Sequence, residues 1–167
     1  MASEPAGSDS FASAAATNPQ APGPQDPGRP PQAVGPGLWL FAPNRDSQGG
    51  SAWLLEAHHA DLLIDVPALT EANLSVLRQR ASRRPPGAER WIVLTGRHGH
   101  GRCRRLQEAL GWTVVVQEQE AYLLPGLQSL QTFGPAMELG PGLRLLWTPG
   151  STPGACVLHA KIGRAHV

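Results

Sequence analysis

Lysine is all but missing from this chain of 167 residues: Lys161 is the only one, and every other basic side chain is an arginine. Charge of either sign is sparse, at 16% of residues and a net of +1, so no global field draws the chain to nucleic acid or to an anionic membrane. Two cysteines, Cys103 and Cys156, are too few for a disulfide framework and are compatible with a reducing compartment. Apolar runs stay well short of the roughly 18 residues a spanning helix needs, which excludes a membrane-crossing helix. Aromatics amount to 5%, and Phe11 is the only one before Trp39.

Glycine and proline are plentiful instead, at 19 and 17. In residues 1–37 they join alanine and serine in a segment that cannot bury enough apolar surface to offset its ordering entropy, so a disordered tail is expected there. That tail lacks the basic start and apolar core of a secretory signal, and Glu4, Asp9 and Asp26 argue against a transit peptide. Residues 38–160 hold enough apolar content for one core. The lone lysine opens Lys161-Ile162-Gly163-Arg164-Ala165-His166-Val167, which reads as one frame of a common sequencing-library adapter. Residues 161–167 are therefore set aside as a non-native scar.

Within the domain, order is expected to begin at Leu38-Trp39-Leu40-Phe41, followed by turn residues Ala42 to Gly50. Ser51 to Ala57 reads as a strand, His58-His59-Ala60-Asp61 as the turn that follows it, exposed at His58-His59, and Leu62 to Val66 as the second strand of a hairpin. From Thr70, an N-cap residue, Leu74, Leu77 and Ala81 fall at helical spacing until Arg83-Arg84-Pro85-Pro86-Gly87 stops the element. Trp91 to Leu94 is a buried strand. Cys103, Leu106 and Leu110 make a second helical stripe ended by Gly111. Trp112 to Val116 is the next strand, Gln117 to Tyr122 a short helix, and a loop-rich stretch leads to strands at Leu143–Trp147 and from Ala155. Strands first, then alternating strand and helix, point to a layered α/β fold without internal repeats.

Two turns carry the chemistry. Leu94-Thr95-Gly96-Arg97-His98-Gly99-His100-Gly101 follows a buried strand and opens a helix, and Thr148-Pro149-Gly150-Ser151-Thr152-Pro153-Gly154 follows another strand. Neutral imidazoles two residues apart on a tight turn suit zinc, whose hydrolytic sites keep one position open for a water of lowered pKa. Together the turns resemble those of the metallo-β-lactamase superfamily, usually T-H-x-H-x-D-H and T-P-G-H-T-P-G. Leu63-Ile64-Asp65 sits at that family's strand-end aspartate. More narrowly, Phe41 to Gly50 and Val116 to Pro125 are similar to a branch of the superfamily found in cyanobacteria and plastid-bearing plants. The resemblance covers Leu38 to His159 and implies the N-terminal half of an αββα sandwich.

The resemblance also defines what has changed. Aligned on Thr95, the first ligand histidine is Gly96, the second is the retained His98, the aspartate is His100 and the last histidine is Gly101; Ser151 replaces the histidine of the second turn. His100 suits zinc but cannot supply a carboxylate's charge. The site expected is His98 and His100 as metal ligands, with Asp65 behind them orienting the first turn. The implied cofactor is zinc or iron, or none.

Several functions follow from that reading. The first is a metallo-hydrolase-like protein, with metal-activated water attacking an ester, thioester or phosphoester, whose activity is weak or lost. The alternative is a non-catalytic binding or scaffold protein that keeps the fold without metal. A third is a phosphate- or RNA-binding module built on Arg97, Arg102, Arg104 and Arg105, disfavoured because no aromatics interleave them. Bland readings stand beside these: histidines capping a helix, buried structural thiols, and surface charges at Glu118 and Glu120, for which the family-like Gln-Glu-Gln-Glu-Ala-Tyr stretch offers a binding role as the alternative. The expected partner is a small molecule or phosphoester, with no membrane, and the expected location is cytoplasmic, or plastid in a plant.

Overall fold

The computed structural model describes residues 28–161. Ten strands and two helices make three layers. A seven-stranded sheet runs in chain order: β1 (Gln32–Gly35), β2 (Leu38–Phe41), β3 (Ala52–Glu56), β4 (Ala60–Ile64), β5 (Glu89–Val93), β6 (Thr113–Gln117) and β7 (Leu130–Phe133). β1 to β4 pair antiparallel, and β4 to β7 pair parallel. The antiparallel sheet of β8 (Ala136–Gly140), β9 (Leu143–Trp147) and β10 (Cys156–Ala160) forms the second layer, with β9 in the middle.

Parallel strands need crossovers, and helices α1 (Glu71–Ser82) and α2 (Cys103–Leu110) supply the first two. Thr70 caps α1 by accepting the Asn73 amide at 3.3 Å, and Gly111 ends α2 at φ 71, the left-handed angle a helix C-terminus commonly takes. The central strands are buried on both faces, so they read as unbroken apolar runs. Leu63, Ile92, Val114 and Val116 pack with Leu77 of α1 and Leu106 of α2 in one core. Leu62, Val93 and Val115, one residue over, point the other way and pack with Leu139, Leu143, Leu145 and Cys156 of the second sheet in another.

Three expectations are corrected. Order begins before residue 38: β1 pairs with β2, and its four residues are all exposed, so backbone pairing rather than an apolar pattern forms it. The rest of the expected tail, residues 1–27, and residues 162–167 of the expected scar lie outside the described residues. Ala60 and Asp61 belong to β4 rather than to the turn before it, and Asp61 is buried against Arg84 at 3.1 Å. The loop-rich stretch before Leu143 holds β7 and β8. Among the described residues no helix is long and apolar enough to cross a membrane.

Candidate functional site

β4, β5 and β6 run parallel and end side by side, with Ile64 opposite Val93 and Val93 opposite Val115. The residues that follow them therefore meet at one rim of the sheet, where ligand sites of open α/β sheets form. Asp65 leaves β4 with φ 60, and its carboxylate accepts the Thr95 amide at 2.8 Å and the Thr95 hydroxyl at 2.7 Å. The Val66 amide donates to the Gly99 carbonyl at 3.0 Å, which draws the first turn down onto Asp65. Gly99 is required at that approach, because a Cβ would sit inside the Asp65 carboxylate. Burial raises the Asp65 pKa from its ordinary value, against the opposing pull of the two Thr95 hydrogen bonds.

The second turn joins β9 to β10 and packs on the first. The Cys156 amide donates to the Thr95 carbonyl at 2.9 Å, and the Gly96 backbone faces the Thr152 hydroxyl and Ala155. Glu120 lies between the turns, on a 3-10 segment (Glu118–Leu123) that follows β6. It is not the surface charge expected: its exposure is 0%, whereas Glu118 faces solvent. Its carboxylate accepts the Gly154 amide of the second turn at 3.1 Å and pairs with Arg97 of the first at 3.3 Å. Burial pushes its pKa up, but the Thr152 hydroxyl, the Gly154 amide and Arg97 outweigh that and hold it below the ordinary glutamate value. A Cβ at Gly154 would collide with the Glu120 side chain, so this turn also needs a glycine.

The two histidines part company. Arg97–Gly99 is a 3-10 turn, in which residues three apart eclipse and residues two apart do not. His98 is exposed and lines a cleft of about 190 Å³ together with Asp65, Ser151 and Ser47. His100 lines a different cavity; its Nε2 is shielded from solvent without a hydrogen-bond partner, and burial lowers its pKa.

These residues do not fit a metal ion. Among the described residues no three His, Cys, Asp or Glu side chains converge to hold one. Gly101, where the resemblance puts a histidine, has φ 46, and a Cβ there would press on Val66 at 3.2 Å. Ser151 reaches the cleft as a neutral hydroxyl, and the Asp65 carboxylate is taken up by Thr95. Cys103 and Cys156 are buried and free, with burial pushing both thiols up to about 12.

The stretches that carry the narrower resemblance border this rim. Asn44 accepts the Ser47 amide at 3.1 Å and donates to the Val66 carbonyl at 3.3 Å, and Val116 to Pro125 brings in Glu120. The arginines are mostly engaged: Arg97 with Glu120, Arg102 with Asp46 at 3.1 Å and Arg104 with Glu108 at 3.4 Å.

Compared with solved structures, the chain aligns with a B3 metallo-β-lactamase that has an active-site glutamic acid, at 24% identity and a TM-score of 0.57 over 78% of this chain and 56% of that one. A subclass B3 metallo-β-lactamase from a soil metagenome library aligns at 18% identity and 0.55, over 81% and 60%. A quorum-quenching N-acyl homoserine lactone hydrolase aligns at 19% and 0.50, over 72% and 66%. The chain thus spans less than two-thirds of each of these structures. The described domain has the metallo-β-lactamase fold over that span. No family model matches the chain, and no curated protein does.

Proposed function

We propose that this chain is a metallo-hydrolase-like domain that binds without hydrolysing, its two turns joined by a buried ion pair in place of metal ions. One observation carries this reading. The Glu120 carboxylate, fully buried, accepts the second turn's Gly154 amide and pairs with the first turn's Arg97, so one side chain links the two loops. A buried carboxylate satisfied in this way fixes the geometry of both turns through a protein side chain. The domain acts as a scaffold for a small-molecule partner, in a reducing compartment, cytoplasmic or plastid, that suits its two free thiols.

A second reading has an observation in its favour: Asp65, His98 and Ser151 share one cleft. There a metal-dependent hydrolase would rely on His98 as its ligand. Full-length protein is to be purified without chelators, analysed for zinc and iron, and assayed on generic ester, thioester and phosphodiester substrates. We expect substoichiometric metal and no turnover above the His98→Ala variant. Near-stoichiometric metal with turnover that His98→Ala abolishes would establish the hydrolase instead.

A further inference from the structure

The cavity that His100 lines is the second place where this chain concentrates chemistry. It has a volume of about 600 Å³ and shares no lining residue with the Asp65 cleft. One wall is the start of α2 with Arg102, Arg104 and Arg105; the other is the segment Leu123 to Leu127. That volume falls in the range of small-molecule sites, and a wall of each character suits a ligand with one charged and one apolar end.

The arginines are not equivalent. Arg102 and Arg104 form solvent-exposed pairs with Asp46 and Glu108, of the kind that contribute little and exchange partners readily. Arg105 is exposed and has no carboxylate or hydrogen-bond partner among the described residues. Arg104 lies across the cavity, its guanidinium about 3.5 Å from where a Gly126 Cβ would be, which spans helix and loop. On the opposite wall Leu123 is 38% exposed, an apolar side chain left at the mouth.

We propose that this cavity is a binding site for a small amphipathic oxyanion, a phosphate or carboxylate head carrying a short apolar chain. The head lies on Arg104 and Arg105, whose planar forks match two oxygens at once. The chain lies along Leu123, Leu124 and Leu127. The site is independent of whether the Asp65 cleft supports turnover.

Calorimetric titration of the full chain with hexyl phosphate, hexanoate, inorganic phosphate and hexanol tests this. Saturable one-to-one binding of hexyl phosphate or hexanoate is expected, at least roughly tenfold tighter than inorganic phosphate, with hexanol weakest. Whichever of the two binds more tightly identifies the head group. Arg105→Gln, at an exposed position that leaves the fold intact, is expected to weaken binding roughly tenfold, and Leu124→Ser to bring the amphiphile down to the level of inorganic phosphate. His98→Ala is expected to change nothing. Affinity that is unaltered in Arg105→Gln, no preference over inorganic phosphate, or no saturable binding of either amphiphile would overturn the proposal.

Discussion

Glu120 and Arg97 form an ion pair in which the carboxylate is wholly buried and the guanidinium half-exposed, with Nε 3.3 Å from Oε2. Removing the arginine leaves a charge in the interior with only the Gly154 amide and the Thr152 hydroxyl to satisfy it. Arg97→Ala is expected to lower stability by about 3 kcal/mol, and Arg97→Lys, which keeps the charge without the fork, by about 1 kcal/mol. Denaturant midpoints with their slopes measure both.

Two glycines are held by side chains rather than by backbone angle. Gly99 abuts the Asp65 carboxylate and Gly154 the Glu120 side chain, and neither lies in the left-handed region of φ. Alanine at either position must displace a carboxylate, half-buried at Asp65 and buried at Glu120, with an expected loss of about 1–3 kcal/mol. At Gly87, which has open space around it at φ 89, alanine meets only backbone strain of about 1 kcal/mol. Equal losses at all three positions in thermal unfolding would show that the close approaches are not tight.

Asp65 and Glu120 shift in opposite directions, so their variants respond to pH with opposite sign. Asp65 has a raised folded pKa: it binds its proton more readily folded than unfolded, and its contribution grows as pH falls from neutral towards 3.8. The stability deficit of Asp65→Asn, whose amide keeps the shape and tolerates the left-handed backbone, is therefore expected to widen on acidification. Glu120 has a lowered folded pKa, so its contribution is present above 4.5 and is lost as pH falls through the folded value. The deficit of Glu120→Gln is expected to narrow below pH 4.5. Denaturant midpoints from pH 3 to about 7 follow both trends.

Cys103 and Cys156 are buried, with thiols pushed up to about 12, so almost no thiolate exists at neutral pH. A thiol reagent is expected to label neither in native protein and both after denaturation. Rapid native labelling of Cys103 would show that the core beneath α2 opens, and of Cys156 that the core around β10 does.

The parts of the fold legible in the sequence are those where local chemistry and burial agree. Thr70 and Gly111 mark helix ends through their own side chain or lack of one, and the runs around Leu63, Ile92 and Val115 are unbroken because both faces are covered. β1, β7 and β8 were not legible: they are short, partly polar and held by backbone pairing to neighbours that sequence order alone does not identify. At the site, Asp65 stood out at a strand end. Glu120 did not, because Gln117-Glu118-Gln119-Glu120 holds two acids and only the 3-10 turn decides which points inward. The same helical geometry separates His98 from His100, whose spacing suggested one shared ion.

The central claim, that Glu120 joins the two turns where ions are implied, is tested most directly by thermal unfolding of the full chain with excess zinc and with chelator. The midpoint is predicted to be the same in both conditions and to fall in Glu120→Gln irrespective of metal. A midpoint that drops in chelator, recovers with zinc and loses that response in His98→Ala would contradict the account, because a ligand that binds only the folded state must stabilise it.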